Sequence, residues 1–403
     1  MKENILVGML AMAGVVVAQV LPPPVTGVRL PPPGAPAPNN GFGAPLAGLT
    51  LDELAAFNAG RAEFTHVETP EDGLGPIFNG RSCVQCHGTP AAGGASPTTV
   101  TRFGRTVNGV FDPLEAKGGS LLQRFAIDPA ALELIPPEAN TIAQRESTPL
   151  FGLGLIEAIP DEAILANARA AKPDGVRGRA ALVVDVASGE ERVGRFGWKA
   201  QVATLLTFAG DAYRNEMGIT NRFFPTENAP NGNAALLAAF DRPADPEDVT
   251  DPATGRGDTD SLADFMRLLA PPPRLVPSAS ARSGEALFAQ IGCAACHVPT
   301  MTTGKNGSAA LSEKTVNLYS DLLLHDMGAL NDRIAQGSAR TNEMKTPPLW
   351  GLRVSAPYLH DGRAATVDQA IRAHDGEARR SRDRYNGLTP QLRQQVLDFL
   401  GTI

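Results

Sequence analysis

Apolar residues recur at the spacing of an α-helix in four stretches of the chain, residues 50–64, 260–269, 285–291 and 389–400. A capping box opens the first stretch, with Thr50 as the N-cap and Glu53 at the third helical position. Asp260 is expected to cap the second helix, and Thr389 followed by Pro390 opens the last. The pattern therefore predicts helices in both halves of the chain.

One segment has the pattern of strands instead. Residues 180–193 contain a Val-rich run and a Ser-Gly-Glu turn, which favours a small β-hairpin. Three consecutive prolines at 271–273 end the second helix and mark the best domain boundary. We therefore expect a mainly α fold of two domains, residues 50–270 and residues 276–403, with the hairpin as a small insertion.

The N-terminus has the pattern of an export signal. Lys2 supplies a positive charge, and an apolar run covers residues 5–18. The small residues at the end of this run predict cleavage after Ala18, so residues 1–18 are expected to be a signal peptide. An uncleaved membrane anchor is the alternative, but the run is short for a span and three prolines follow it at 22–24.

The composition is that of a globular protein. The 403 residues are 43% hydrophobic and 20% charged, which is enough to bury a core. A net charge of −7 and a pI near 5.5 give no reason to expect nucleic-acid binding. Residues 19–49 differ from the rest in being rich in Pro, Gly and Ala, so they predict an extended, mobile linker. Beyond the N-terminal run, the sequence predicts no membrane span.

All four cysteines lie in two copies of a Cys-x-x-Cys-His pentad, Cys83, Cys86 and His87 in the first and Cys293, Cys296 and His297 in the second. This is the pattern of covalent c-type haem attachment. The thiols bond the haem vinyl groups, and the histidine lies under the iron as its proximal ligand. A redox dithiol or half of a zinc site is the alternative for an isolated Cys-x-x-Cys. Since both pairs carry the histidine and no cysteine is left over, the sequence predicts two c-type haems.

The two halves are also similar outside the pentads. Residues 147–153 (Ser-Thr-Pro-Leu-Phe-Gly-Leu) are similar to residues 345–352 (Lys-Thr-Pro-Pro-Leu-Trp-Gly-Leu), and each copy lies downstream of one pentad. Each half also has a predicted helix before its pentad and another at its end. These similarities favour duplication of a cytochrome c-like unit that binds one haem.

Further motifs follow in a fixed order along residues 50–403, at 75–79, 151–160, 195–200, 215–218, 319–328, 356–363 and in the segment ending at His374. Together with the pentads they resemble the bacterial di-haem cytochrome c peroxidase and MauG-like superfamily. Within it, the chain is most similar to the branch of di-haem oxidoreductases. The resemblance is specific for the superfamily and less specific for the reaction.

The resemblance implies that the C-terminal haem stores electrons and has a ligand on both sides of its iron. His297 is the proximal ligand. In the family the distal ligand follows the histidine of a Pro-Tyr-x-His-Asp-Gly motif by fourteen residues, a position that His374 occupies here. The other candidates for this ligand are Met344, His325 and His360.

The N-terminal haem, with His87 as its proximal ligand, is then the reactive one. The repeat would supply a distal ligand near residues 210–212, where no His or Met stands, so we expect an open iron face. His66 or Met217 could instead ligate this iron and close the site.

The resemblance also implies an acid–base carboxylate and an electron relay. The family places a catalytic Glu in an Asn-x-x-Glu-Met-Gly segment, and here Glu216 lies in Asn-Glu-Met-Gly, without the two spacer residues. Trp198 stands eighteen residues earlier, near the position of the family tryptophan that lies between the haems. Its Gly-Trp-Lys-Ala context departs from the usual Trp-Asp-Gly-Arg. An ordinary surface glutamate and a core tryptophan are the alternatives.

Calcium between the two domains is a further feature of the superfamily. The local equivalents of its ligands would be the backbone carbonyls of Ser355 and Pro357 and the side chain of Glu146. Glu146 replaces the usual asparagine, so the sequence leaves this site open.

These observations predict an exported oxidoreductase, periplasmic or otherwise outside the cytoplasm, that reduces hydrogen peroxide. A small redox protein, either a c-type cytochrome or a cupredoxin, would donate electrons to the C-terminal haem. Trp198 would pass them on, and Glu216 would assist cleavage of the O–O bond. One alternative is a MauG-like or rubber-oxygenase-like enzyme that oxidises a protein or an organic substrate. The other is an electron-transfer cytochrome without enzymatic activity.

Overall fold

The computed structural model describes residues 41–403, in which helices and short strands alternate along the chain. The α-helices are α1 (Leu51–Thr65), α2 (Leu153–Glu157), α3 (Asp161–Arg169), α4 (Leu205–Ala212), α5 (Ala234–Phe240), α6 (Asp258–Leu268), α7 (Ala279–Gln290), α8 (Val367–Ala373), α9 (Arg379–Gly387) and α10 (Pro390–Leu400). The strands are β1 (Ile77–Phe78), β2 (Thr99–Val107), β3 (Val110–Asp112), β4 (Leu121–Leu122), β5 (Phe125–Ala126), β6 (Thr141–Glu146), β7 (Ala181–Val184), β8 (Glu191–Gly194), β9 (Met301–Thr302), β10 (Thr315–Val316), β11 (Leu324–Asp326) and β12 (Glu343–Lys345). The predicted signal peptide lies outside the described residues.

The helix starts follow the capping signals of the sequence, with one exception. At α1 the Thr50 hydroxyl accepts a hydrogen bond from the Glu53 backbone N–H, and the Glu53 carboxylate accepts one from Thr50 N–H, so the capping box is confirmed. Thr389 caps α10 as expected. At α6 the N-cap is Gly257, and Asp260 lies at the third helical position, where its carboxylate accepts from Gly257 N–H at 2.8 Å. The expectation that Asp260 is the N-cap was therefore wrong.

Two pairs of helices, α1 with α6 and α7 with α10, make close contact at a glycine of the first helix in each pair. At Gly60 in α1, a Cβ atom would overlap the Ser261 carbonyl oxygen of α6. At Gly284 in α7, a Cβ atom would overlap the Gln395 carbonyl oxygen of α10. A larger residue at either position would push the two helices apart.

A phenylalanine follows each of these glycines by one helical turn and packs on the partner helix. The ring centroids of Phe64 and Phe265 are 4.7 Å apart, and those of Phe288 and Phe399 are 5.3 Å apart. The two crossings thus have the same construction. The predicted duplication of a one-haem unit nevertheless stays a prediction.

Strands give the chain a mixed α/β structure, so the expectation of a mainly α fold is not confirmed. Helical residues make up 35% of the structure and strand residues 15%. The largest sheet is built around β2, which pairs antiparallel with β3, β4 and β6. Its hairpin turns at Asn108 and Gly109, both with positive φ, and an Asn-Gly pair between short β-rich runs is a sequence signal for such a turn. The hairpin predicted at 180–193 is confirmed as β7 and β8.

The buried apolar residues form one large cluster and a smaller one near the C-terminus. The large cluster extends along the chain from Phe42 to Trp350, on both sides of the proline triplet at 271–273. The smaller cluster includes Phe288 and Phe399. The end of the predicted linker belongs to the packed structure, because Phe42 is buried and residue 46 pairs with the end of α6. The division into two haem domains stays a prediction.

Among the described residues, no helix combines the length and the apolar character that crossing a membrane requires.

Candidate functional site

Each Cys-x-x-Cys-His pentad forms a single tight turn. The first begins with a 3₁₀ turn at Cys83–Gln85, and the second with a 3₁₀ turn at Cys293–Ala295. The N–H of each pentad histidine donates to the carbonyl of the first cysteine, at 3.0 Å for His87 and 2.9 Å for His297. Both turns therefore have the same backbone conformation, and all four cysteines are free of disulfides.

Three histidines have the hydrogen bonds that suit an iron ligand. The Nδ1 atom faces a backbone carbonyl in each, Gly94 O at 3.1 Å for His87, Tyr319 O at 3.0 Å for His297 and Ala370 O at 2.8 Å for His374. Nδ1 must then carry the proton, which leaves Nε2 free to bind a metal. Burial lowers the pKa of His87 and of His297 to about 4 and also lowers the pKa of His374. All three imidazoles are thus neutral at pH 7, as metal ligation requires.

The spacing of His297 and His374 fits a haem iron between them. Their ring centroids are 6.4 Å apart. A metal–imidazole bond is about 2 Å long, and the ring centre lies about 1 Å beyond the nitrogen, so two axial imidazoles place their centroids about 6 Å apart. His374 terminates α8, where its backbone N–H bonds to Ile371 O. The geometry supports the predicted pair, which stays a prediction.

The competing ligands for this iron are engaged elsewhere. His325 lies between two carboxylates, with Nε2 3.0 Å from Asp321 Oδ2 and Nδ1 2.8 Å from Glu377 Oε2. Although burial opposes it, these hydrogen bonds and one to Cys296 raise the pKa of His325 to about 12, so its ring is a cation. His360 packs edge-to-face on the indole of Trp198.

Met344 is the remaining competitor. It is buried on β12, paired with His325 across the two-stranded sheet, and it borders the same cavity as His374. Its thioether therefore stays a candidate that a ligand substitution must test.

A cavity of about 270 Å³ connects the surroundings of the two pentads. One wall contains the second pentad and His374. The lining also contains Ser147, whose hydroxyl donates to the carbonyl of Cys86 in the first pentad at 2.5 Å. Residues near both pentads thus border one space.

Trp198 borders this cavity and is fixed on both sides. Its indole Nε1–H donates to the Glu146 carbonyl at 2.8 Å, and its ring packs on His360 with centroids 6.2 Å apart. Glu146 directly precedes Ser147, which bonds to the first pentad, while the cavity wall beside Trp198 includes His297 of the second. The indole therefore lies between segments that contact the two pentads.

Glu216 lies beside the first pentad. Its Oε2 atom accepts a hydrogen bond from Asn79 Nδ2 at 2.9 Å, and its backbone carbonyl accepts one from Asn79 N–H at 2.7 Å. Burial raises the pKa of Glu216, while the charge of Arg102 and the Asn79 bond oppose that shift. Gly80, three residues before Cys83, donates its N–H to the Glu216 carbonyl at 3.2 Å. Burial and then the charge of Glu216 raise the pKa of Cys86 to about 11.

The segment that carries Glu216 is a π-helical turn, Tyr213–Met217. Such turns contain one residue more than an α-turn and are frequent at functional sites. Here the turn continues α4 and ends at Gly218, whose φ of 70° is left-handed. The π-helical turn thus lies where this chain lacks the two spacer residues of the family's Asn-x-x-Glu-Met-Gly segment.

Residues that sequence reasoning missed complete the surroundings of Glu216. Asn79 ends one of the matched motifs, so a signal for it was available. Arg102 lies on β2, and its Nε is one of the buried side-chain atoms that lack a partner within residues 41–403. Asp211 accepts a hydrogen bond from Asn215 at 2.8 Å, and burial raises its pKa. Sequence spacing offers no signal for these last two.

The alternative ligands of the N-terminal haem have other environments. The His66 side chain is 50% exposed and lies 3.6 Å from Glu68 and 3.7 Å from Asp72. Met217 is buried in the large hydrophobic cluster. The exposure of His66 favours an open iron face, whereas Met217 stays an alternative ligand; the open face stays a prediction.

The three residues predicted for calcium border the cavity together, namely Glu146, Ser355 and Pro357. Burial and the nearby charge of Asp361 raise the pKa of Glu146 to about 7. The Ser355 hydroxyl donates to Gly351 O at 2.8 Å and leaves its own carbonyl available. The geometry permits a calcium ion here without testing it.

Several solved structures are similar to this chain at low identity. Hydrazine synthase of Kuenenia stuttgartiensis is 14% identical over 98% of this chain and 100% of that one, with a TM-score of 0.42. The diheme peroxidase BthA from Burkholderia thailandensis is 14% identical over 86% of this chain and 85% of that one, with a TM-score of 0.39. A MauG-like protein associated with microbial copper homeostasis is 16% identical over 63% and 88%, with a TM-score of 0.31. No curated protein matches the chain.

A family model gives the stronger match. The model described as "Di-haem oxidoreductase, putative peroxidase" matches residues 137–403, which include the second pentad, Trp198, Glu216 and His374. The resemblance found in the sequence motifs is thereby confirmed. Two haems are the cofactors that this family implies. The chain therefore belongs to the family of di-haem oxidoreductases.

Proposed function

We propose that this chain is an exported peroxidase that reduces hydrogen peroxide to two molecules of water, with two electrons from a small redox protein and two protons from solvent. The observation that carries the proposal is the position of Glu216. Its partly buried carboxylate lies beside the first pentad, in a chain that has no His or Met at residues 210–212 to close the iron. An acid–base group next to an open iron face is the arrangement that peroxide cleavage requires.

Glu216 is suited to hold and transfer a proton at a fixed place. Asn79 donates to Oε2 and orients the carboxyl group, which leaves Oε1 to take the proton from a bound peroxide and return it to the leaving oxygen. Because burial raises the pKa of Glu216, its carboxyl binds a proton more readily than an exposed one. General acid–base catalysis is most efficient when the pKa approaches the working pH.

The first pentad would hold the reactive haem. Cys83 and Cys86 would bond it covalently and His87 would ligate its iron, which supplies the redox chemistry of O–O cleavage. On the side where peroxide would bind, Asn79 and Glu216 would supply the polar side chains.

The second pentad would hold the haem that stores electrons. His297 and His374 would occupy both sides of its iron, so that peroxide has no free position there. Trp198 would relay electrons from one site to the other, which its position beside the second pentad and its hydrogen bond to the Glu146 carbonyl support. Calcium at Glu146, Ser355 and Pro357 would stabilise the segments that fix this tryptophan.

The remaining parts of the proposal follow from c-type haem attachment. Since such haems are attached outside the cytoplasm, residues 1–18 would serve as a cleaved signal and the enzyme would work in the periplasm or another exported location. Duplication of a one-haem unit would account for the matching glycine crossings of α1 with α6 and of α7 with α10.

The test is substitution of Glu216 by Gln, which keeps the hydrogen bond acceptor and the size of the side chain but removes the base. Peroxide turnover with a reduced cytochrome or cupredoxin should fall by about a hundredfold to ten-thousandfold, while both haem spectra persist. The exposed Glu162→Gln on α3 is the matched control and should keep wild-type turnover. Wild-type turnover in Glu216→Gln would contradict the acid–base role.

Electron paramagnetic resonance separates the remaining alternatives. One high-spin ferric haem in the wild type indicates the open iron that an enzyme needs. Two low-spin haems and no turnover with peroxide would identify an electron carrier. An open iron with slow peroxide turnover, but rapid oxidation of a protein or an organic substrate, would identify the MauG-like or oxygenase-like reaction.

A further inference from the structure

A cluster of four carboxylates lies outside the proposed haem sites, in the loops that follow the π-helical turn. Glu227, Asp245 and Glu247 each place a carboxylate oxygen within 4.8 Å of the other two. Asp241 is close enough to raise the pKa of both glutamates. Among residues 41–403, none of the ion pairs joins an arginine, lysine or histidine to any of these four acids. The cluster thus concentrates negative charge without a counter-charge from the protein.

Three oxygens of this cluster are buried without a hydrogen-bond partner. They are Glu227 Oε2, Asp241 Oδ1 and Glu247 Oε1. Glu227 is only 7% exposed, and its other oxygen accepts a single bond from Asn228 N–H at 2.7 Å. Burial of a carboxylate oxygen without a partner is costly unless a proton or a cation compensates it. The unpartnered oxygens therefore point to a bound ligand of positive charge.

We propose that Glu227, Asp245 and Glu247 bind one calcium ion, with Asp241 as a further nearby negative charge. Calcium takes six to eight oxygen ligands at about 2.3–2.6 Å, so two oxygens on opposite sides of one ion are about 5 Å apart. The ligand oxygens of Glu227, Asp245 and Glu247 all lie within 4.8 Å of one another, which satisfies that limit. The set contains only carboxylate oxygens, without sulfur or imidazole, which disfavours zinc and copper.

A hydroxyl group adjoins the carboxylates and extends the set of oxygen ligands. Thr220 Oγ1 lies 2.8 Å from Asp245 Oδ1 and 3.2 Å from Glu247 Oε2. Side chains from two separate loops thus meet at one point, which suits the flexible coordination of calcium better than the strict octahedron of magnesium.

The site would fasten the loop 241–248 to the segment that follows Glu216. Thr220 N–H donates to Glu247 Oε2 at 2.7 Å, and Asp248 N–H donates to Thr220 O at 3.0 Å. Thr220 lies four residues after Glu216. Calcium would therefore stabilise the backbone on the C-terminal side of the π-helical turn, whatever reaction the protein catalyses.

This site is distinct from the calcium position at Glu146, Ser355 and Pro357, because it uses other loops and only side-chain oxygens. Any measurement of calcium binding must therefore separate the two. Glu146→Gln addresses the first position, and Glu227→Gln or Asp245→Asn addresses the second.

The experiment uses the holoprotein after removal of calcium with a chelator. Calcium is titrated by isothermal calorimetry, and its stoichiometry is measured by equilibrium dialysis with radioactive calcium. Glu227→Gln and Asp245→Asn should each lose one calcium per chain or bind it at least tenfold more weakly, with unchanged haem spectra. Glu146→Gln should retain this ion, and the exposed Glu162→Gln should bind calcium as the wild type does.

Two results would overturn the proposal. One is a wild-type protein that binds no calcium. The other is a protein that loses its calcium in Glu146→Gln but keeps it in Glu227→Gln and Asp245→Asn. Poor folding would not obscure the outcome, because Asp245→Asn changes an exposed side chain and the haem spectra report on the fold of each variant. Neither result depends on peroxide turnover, so the calcium site and the peroxidase proposal fail independently.

Discussion

Asp332 is the shared counter-charge of two buried cations, and its replacement by Asn should destabilise the fold strongly. Its Oδ1 lies 2.8 Å from Lys199 Nζ, and its Oδ2 lies 2.7 Å from Arg145 Nε. All three residues are buried. Asn has the same shape but carries no charge, so Asp332→Asn leaves both cations buried without an anion. Removal of one partner of a buried pair costs about 3–5 kcal/mol of folding free energy.

The share of this cost that belongs to Lys199 is limited by its pKa. Burial lowers the pKa of Lys199 to about 8, even with Asp332 beside it. Without Asp332 the pKa falls further, and the amine loses its proton once the pKa passes below pH 7. One pKa unit corresponds to about 1.4 kcal/mol, so at pH 7 Lys199 contributes at most about 1.4 kcal/mol to the cost. At pH 9 the amine is already neutral in the wild type, and its share vanishes.

Arg145 contributes the remainder at both pH values. Burial lowers its pKa, but a delocalised guanidinium keeps its proton at pH 7 and at pH 9, with or without Asp332. The charges of Arg145 and Lys199 lower the pKa of Asp332 against the effect of burial, so Asp332 is an anion throughout. The cost of Asp332→Asn should therefore be about 3–5 kcal/mol at pH 7 and smaller, by up to about 1.4 kcal/mol, at pH 9.

The assay is urea unfolding of the holoprotein, followed by circular dichroism at both pH values. Asp383→Asn is the control, because its carboxylate is 57% exposed and pairs with Arg382 at the surface. It should cost less than about 1 kcal/mol. A cost of Asp332→Asn below about 1 kcal/mol at pH 7, or one that does not decrease at pH 9, would refute the reasoning.

Two further predictions concern the haem sites. His374→Met should keep the C-terminal haem low-spin and raise its reduction potential, measured by spectroelectrochemistry, because a thioether favours ferrous iron more than imidazole does; an unchanged potential and spectrum would make Met344 the better candidate, and the exposed His66→Met serves as the control. Replacement of Cys83 and Cys86 by Ala should leave one covalent haem per chain in a pyridine haemochrome assay, since each pentad is expected to attach one haem; two remaining haems would contradict the assignment.

The sequence predicted those elements whose signals are local. The capping box at Thr50, the hairpin at 180–193 and the two pentads each occupy a few consecutive residues, and the structure contains each of these local features where it was expected. The sheet around β2 was missed because most of its pairing is distant, with β6 about forty residues away in the chain. This pairing is the main reason that the fold is mixed and not mainly α.

The surroundings of the candidate site were harder to predict for the same reason. Glu216 was found through its motif, but Asn79, its hydrogen-bond partner, is 137 residues away in sequence. The acidic cluster gave no signal, because Glu227 and Glu247 stand in loops without periodicity. Only the packing of those loops shows that the carboxylates are buried together.

The two helix crossings through Gly60 and Gly284 close loops of different length. The chain between α1 and α6 has roughly 190 residues, and that between α7 and α10 roughly 100, a difference that changes the entropy of loop closure by only about 0.6 kcal/mol. The two crossings differ more in how late the covering helix emerges after its pentad. A chain that emerges from its N-terminus presents Cys83 and Cys86 long before α6 arrives to cover α1. If the first pentad attaches a haem as proposed, attachment would have a long interval before α6 can pack on α1, and a chain that ends before residue 258 would never cover that haem with α6.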